Sequence, residues 1–314
     1  MRGEALRGTP CAGLAGQALL TRVTEAPATA LLFPGQGSQT AEMRDDVAAA
    51  RPDLLALACE VVGDDPFARV QDGTRYAQPA IYCASVVGFE RLRDAGVTGV
   101  AYAGHSLGEV AALVAAGALS AEDGLRLVAV RGRLMQESGE RAGDGSMLAL
   151  LGKGAADHAA AVAEAAGLTV ANDNAPNQVV LSGAKGAFEA AIEAAREHGL
   201  RTVPLPVTGA FHSPAMAGAR PELEEALADI DFQAPSVAVI SSITTAPFDD
   251  MRARLADALT QPVRWRETLL ALRARGVERF VETGPDTVLT GLVKRTVPDA
   301  QALAAEQLEG VDAR

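Results

Sequence analysis

The stretch Val100–Leu119 reads VAYAGHSLGEVAALVAAGAL. VAYAG has the apolar character of a short strand, and EVAALVAAGAL is an uninterrupted helical run that closes near Gly117. Between them, Gly104-His105-Ser106-Leu107-Gly108 has the G-x-S-x-G spacing of a nucleophile elbow. Such a turn needs small residues two places before and two places after the serine, where the chain crosses itself. It places the hydroxyl at the N-terminus of the next helix, where amides and the helix dipole favour developing negative charge. The pentapeptide alone is a weak signal in a glycine-rich chain; the strand before it and the helix after it give it weight. The alternative is a plain glycine turn.

A nucleophilic serine needs a base. The chain has four histidines: His105, His158, His198 and His212. His158 and His198 fall on alanine-rich, charged helices and are expected to face solvent. His105 adjoins the serine and is poorly placed to turn its ring onto the hydroxyl. His212, in VTGAFHSPAM, lies between a strand and a helix, where α/β sites assemble, and is the base by elimination. Its other reading is a turn or capping residue. No acid is tied to it by sequence. Glu282 and Asp286 lie in a strand-end turn, and a backbone carbonyl would serve equally without leaving a signature.

Outward from this centre, the ordered fold is expected to begin at Ala28 with the strand ATALLF, followed by the glycine turn PGQGSQ. Helices are expected over Asp53 to Val62, Pro79 to Arg93 and Ala121 to Glu140, before a break at GERAGDG. From residue 144 to 208 the order is strand–helix–strand–strand–helix–strand, a split βαβ (ferredoxin-like) unit. Residues 28–143 and 209–305 alternate strands and helices, which predicts a mainly parallel sheet covered on both faces. The fold class is therefore α/β: a large parallel-sheet domain with a ferredoxin-like small domain inserted. Pro214 to Ala228 is expected to be one helix, and TVLTGLVKRT the last one. Met1 to Pro27 reads as a flexible Gly/Ala-rich leader.

Composition sets the limits. The chain has 314 residues, 48% hydrophobic and 22% charged, with 31 glycines, which excludes a charge-rich disordered protein. Its net charge of -12 and lack of a dense basic patch argue against a nucleic-acid partner. Cys11, Cys59 and Cys83 are too widely spaced for a disulfide framework or a zinc cluster, and the last two sit in apolar helical patterns. No secretory signal or membrane span is visible, so a cytoplasmic protein is expected. No coiled-coil stripe is visible either, and the expectation is a monomer.

Several segments resemble the malonyl-CoA:acyl carrier protein transacylases and the acyltransferase domains of polyketide and fatty acid synthases. They are LLFPGQGSQ (31–39), AGHSLGEVAALVAAGAL (103–119), RGRLMQ (131–136), NAPNQVVLSG (174–183), GAFHSPAM (209–216), QPVRW (261–265) and ETGPDTVLTGLVKR (282–295). The resemblance implies a hydrolase-like domain with a ferredoxin-like insert, and transfer of malonyl from coenzyme A to the phosphopantetheine thiol of an acyl carrier protein. It implies acylation of Ser106, His212 as base, Arg131 on the malonyl carboxylate, and an oxyanion hole of Gln36 and the Leu107 amide. It also implies a backbone carbonyl near Gln261 that orients the histidine. Neither metal nor bound cofactor is implied; the coenzyme A thioester is the substrate.

Arg131 makes sense on physical grounds too: a buried carboxylate needs a partner, and a guanidinium meets it in a two-pronged geometry that lysine lacks. Without the resemblance it would read as a surface arginine. The resemblance also implies a preference for malonyl over methylmalonyl, because the family's malonyl-selective members often have a phenylalanine before the histidine, here Phe211, and this chain has Leu107 rather than glutamine after Ser106. Gly209, where many relatives have histidine, is expected to open space nearby. If the carrier protein is acidic, Lys294 and Arg295 are a local basic patch for docking. The same site would also suit the transfer subunit of a malonate decarboxylase, a transferase for an unusual extender unit, or an editing acyl hydrolase. The shortened stretch from Gly63 to Pro79 marks a specialised member.

Overall fold

The computed structural model describes residues 27–308. Cys11 and all of the expected leader but Pro27 lie outside the described residues. The strands are β1 (Thr29–Phe33), β2 (Ala101–Gly104), β3 (Gly145–Leu151), β4 (Thr169–Ala175), β5 (Gln178–Ala184), β6 (Arg201–Pro204), β7 (Ala238–Ile240), β8 (Arg279–Glu282) and β9 (Gln301–Ala304). The helices are α1 (Met43–Ala50), α2 (Pro52–Val62), α3 (Thr74–Asp94), α4 (Gly108–Ala115), α5 (Ala121–Ala142), α6 (Ala155–Ala166), α7 (Phe188–Glu197), α8 (Arg220–Ala228), α9 (Met251–Asp257), α10 (Trp265–Ala274) and α11 (Val288–Thr296).

Among the described residues these strands form two sheets. The larger is parallel throughout, in the order β7-β2-β1-β8-β9. Both of its faces are covered, so its strands read as unbroken apolar runs rather than alternating ones. Leu31, Phe33, Tyr102 and Val281 pack with the helices of one side, including α3, α4 and α5. Ala30, Leu32, Ile240 and Phe280 pack on the other side with Trp265, Leu269 and Leu292.

The smaller sheet is antiparallel, β4-β5-β3-β6, with α6 and α7 packed on one another. Its core is separate, built from Leu148, Leu150, Val179, Leu181 and the alanine faces of both helices. The βαββαβ order and this strand arrangement give the ferredoxin-like unit expected from sequence.

The differences from expectation have local causes. α3 starts at Thr74, not Pro79: the proline lies inside the helix, where it forgoes one backbone bond, and is buried there. The segment after His212 is a 3-10 turn, Pro214–Ala219, and only then α8, with Pro221 in its first turn. α1 carries two acids in a short, weakly apolar run, and β9 is a four-residue edge strand; neither has a periodicity that stands out in sequence.

Candidate active site

The register of the large sheet pairs Phe33 with Gly104, so the loops leaving β1 and β2 emerge side by side at the carboxyl end. The β2 loop is the elbow. Ser106 has φ 55°, a left-handed conformation that non-glycine residues rarely adopt. The flanking glycines are obligatory: a Cβ on Gly104 would stand 2.0 Å from the Gly108 carbonyl carbon, and one on Gly108 would stand 2.1 Å from Phe33 O. The amides of Gly108, Glu109 and Val110 donate to the carbonyls of His105, Ser106 and Leu107. The Leu107 amide makes no such bond among the described residues, and it belongs to the residue after the nucleophile.

His212 also has a positive φ, 54°, and these two are among four such non-glycine residues described. Strained backbone of this kind persists where the surroundings over-determine it, commonly at functional sites. His212 Nε2 lies 2.9 Å from Ser106 Oγ, and its Nδ1 lies 2.9 Å from the carbonyl oxygen of Ala258. The orienting carbonyl thus belongs to Ala258, in the last turn after α9, three residues before Gln261. The Gln261 backbone also favours the protonated ring, less than the Ala258 carbonyl does. Burial, then the positive charge of Arg131 and the neighbouring His105 imidazole, push the His212 pKa down to about 3, so the ring is neutral and able to accept a proton at physiological pH.

Glu282 and Asp286 take no part in orienting the histidine. The Glu282 carboxylate accepts from the amides of Leu289 and Thr290 and from Thr290 Oγ1, which fastens the start of α11. Asp286 accepts from Thr287. His105 turns its Nε2 onto Asn174 Oδ1 at 2.8 Å, edge-on to Trp265, and its burial lowers its pKa. His158 and His198 stack on each other with ring centroids 4.1 Å apart, His198 exposed and His158 half-buried.

Arg131 comes from the inner face of α5 and is 4% exposed. Its Nη1 donates to Gln78 Oε1 at 2.6 Å and its Nη2 to Ser106 Oγ at 3.1 Å. No carboxylate contacts it among the described residues. Burial lowers its pKa to about 10, with the opposing charge of Glu109 acting the other way, so it remains a cation at neutral pH. A buried cation touching only neutral groups has the capacity to receive an anion, here beside Ser106. Gln78, which holds the guanidinium and is itself braced by Thr74 and Met135, escaped the sequence reading. Its signal was a lone amide in the buried run of α3.

Ser106, Leu107, Arg131, Gln36, Phe211 and His212 line one cavity of about 280 Å³. Gln36, from the β1 loop, is exposed at its wall. Gln36 and Phe211 also border a second, polar cavity of about 310 Å³, so Phe211 stands between the two. Gly209 does not widen the site as expected. A Cβ there would stand 2.6 Å from Phe211 Cε1, so the aromatic ring already fills that space.

An inward-facing serine, a neutral histidine on its hydroxyl and a buried arginine beside both can acylate the serine with an acid that carries a second carboxylate. Comparison with known proteins accords with this. The acyl transferase domain family matches residues 30–311. The malonyl CoA-acyl carrier protein transacylase of Escherichia coli K12 is 40% identical over 296 residues, covering 88% of this chain and 96% of that protein. The chain belongs to the malonyl CoA-acyl carrier protein transacylase family. Within reach of the same family, polyketide biosynthesis protein ThaF of Burkholderia thailandensis is 41% identical over 86% of this chain, which spans 24% of ThaF's length. The crystal structure of an acyl carrier protein S-malonyltransferase from Vibrio cholerae superposes with a TM-score of 0.81 at 38% identity, covering 91% of this chain and 99% of that one.

Proposed function

We propose that the chain transfers a malonyl group from malonyl-CoA to the phosphopantetheine thiol of an acyl carrier protein, through a malonyl ester on Ser106. The observation that carries this is Arg131: a buried guanidinium with no carboxylate in contact among the described residues, its Nη2 3.1 Å from Ser106 Oγ. In the first half-reaction Ser106 Oγ attacks the thioester carbonyl while His212 Nε2 takes its proton. Gln36 and the Leu107 amide are the proposed donors to the oxyanion, and Arg131 receives the free carboxylate. His212 then returns the proton to the departing coenzyme A sulfur. In the second half the carrier thiol attacks the ester, His212 takes the thiol proton, and the same proton restores Ser106.

Phe211 and Leu107 crowd the cavity where an α-methyl would go, which favours malonyl over methylmalonyl. Coenzyme A thioesters and carrier proteins meet in the cytoplasm, and we place the reaction there. Among the described residues no helix is long and apolar enough to cross a membrane. The carrier belongs to fatty acid or polyketide assembly on this reading. The test is intact mass after brief exposure to equimolar malonyl-, methylmalonyl- and acetyl-CoA, with Ser106→Ala alongside. A malonyl increment on the unsubstituted protein alone is expected. No increment, with no coenzyme A released, would overturn the reading.

A further inference from the structure

One side of α5 takes no part in the catalytic site. Arg126, Ala129, Val130 and Arg133 are spaced i, i+3, i+4 and i+7 and so share one face of the helix. They line a hollow of about 330 Å³ that has no residue in common with the catalytic cavity or with the polar cavity beside Phe211. Val61 and Val62, at the end of α2, and Arg75, in the first turn of α3, complete its walls. Its size is in the range of small-molecule sites.

The walls have two parts. The aliphatic part is two valines of α2 with Ala129 and Val130 of α5, all half-buried; the rest is three arginines. The chain has 40 acidic against 28 basic side chains, yet no carboxylate lines this hollow. Arg133 is already held by Glu137 and Glu222. Arg126 makes no ion pair or side-chain hydrogen bond among the described residues, and Arg75 makes no ion pair there either. The Arg75 guanidinium has the Tyr76 ring for company, its Cζ 5.4 Å from the centroid. Arginine stems often lie flat over apolar surface; here they leave a hollow between themselves and the valines.

Two guanidiniums without counter-charges beside an aliphatic wall define a ligand by its chemistry. Each guanidinium offers a fork of donors that fits a carboxylate or a phosphate. A bare inorganic anion would leave the valines in water, whereas a hydrocarbon tail would cover them. A neutral hydrocarbon would cover the valines but leave the arginines without a counter-charge. We infer that this hollow binds an amphiphilic anion, a saturated carbon chain ending in a carboxylate or a phosphate, with the head on Arg75 and Arg126 and the chain against Val61, Val62 and Val130. Such a site stands whichever acyl group the catalytic serine carries.

The test is calorimetric titration of the full chain with octanoate and with octyl phosphate, beside octanol and inorganic phosphate, which carry the tail or the head alone. Saturable binding of at least one amphiphile is expected, tighter than either control, and the tighter of the two names the head. Arg75→Gln with Arg126→Gln should weaken it about 10-fold or more, the loss expected for hydrogen bonds to a charged group. Ala129→Glu places a carboxylate in the wall with all three arginines intact, and should weaken it as well. Arg131→Ala should leave it unchanged, which separates this hollow from the catalytic cavity, where a carboxylate could also settle. No saturable binding of either amphiphile, octanol binding as tightly as both, or an affinity that survives the Arg75 and Arg126 substitutions would each overturn the inference.

Discussion

The ring of Phe211 occupies the space that a side chain on Gly209 would need: a Cβ there would lie 2.6 Å from Phe211 Cε1 and 3.2 Å from Gly139 Cα. Gly209 also has φ 138°, which L-residues rarely adopt. Gly209→Ala is therefore expected to lower the thermal midpoint by several degrees, the effect of overpacking and backbone strain together at about 1–3 kcal/mol. It should also displace the ring and slow malonylation. Combining it with Phe211→Ser removes the collision, so the double variant should regain part of the rate. Purely additive losses in rate and melting temperature would show that the two residues act separately.

Arg131 and His212 are coupled through charge. The guanidinium is the second cause, after burial, of the depressed His212 pKa of about 3. A malonyl carboxylate on Arg131 would offset that charge and make His212 a stronger base in the complex. The acid limb of kcat is thus expected at higher pH for malonyl-CoA than for acetyl-CoA, which has no carboxylate, and no limb should appear near 6.5 in kcat/KM. Arg131→Met should raise the acid limb of kcat/KM in the free protein. Profiles that coincide for both substrates would contradict the coupling.

What the sequence disclosed follows the strength of the local constraint. Gly104 and Gly108 were legible because a Cβ at either would strike backbone, so their spacing around Ser106 is dictated by the elbow folding back on itself against the end of β1. His212 emerged only by elimination, since nothing local records that its loop lands 2.9 Å from Ser106 Oγ. The Ala258 carbonyl leaves no trace at all, because every residue has a carbonyl. Arg131 and Gln78 share the same obscurity: each looks like an ordinary helical residue until α3 and α5 are packed together. Pro79 misled the reading of α3, as a buried proline near the helix start resembles a boundary.

Replacing Arg131 tests substrate choice directly. Removing one partner of a buried, hydrogen-bonded charge pair costs about 2–5 kcal/mol, so Arg131→Ala should reduce malonylation of Ser106 by roughly 10²-fold or more. Acetylation from acetyl-CoA should change far less, because no carboxylate loses its partner. Arg131→Lys keeps the charge but loses the fork that also grips Gln78, and should recover only part of the malonyl rate. Competition between the two thioesters, read by intact mass, gives both rates in one experiment. Equal losses for malonyl and acetyl would assign Arg131 to the fold rather than to the carboxylate.

Glu109 lies one helical turn beyond Ser106 and is fully buried. Its Oε1 accepts from Ser242 N at 2.6 Å and Ser242 Oγ at 3.0 Å, tying α4 to the end of β7. Burial raises its pKa from 4.5 to about 7, against the hydrogen bonds and the Arg131 charge, which favour the carboxylate. With the folded-state pKa above the unfolded one, the native state holds the extra proton between about pH 4.5 and 7. This contribution to stability is complete below pH 4.5 and is lost as pH rises through 7. Glutamine keeps an oxygen for Ser242 and cannot ionise. Glu109→Gln should therefore match the unsubstituted protein near pH 4.5 and exceed it at pH 8, by an amount on the order of a few kcal/mol. Denaturant unfolding at the two pH values checks this. A variant less stable at pH 8 would mean that the Glu109 charge is needed there, most directly as the counter-charge that keeps Arg131 buried.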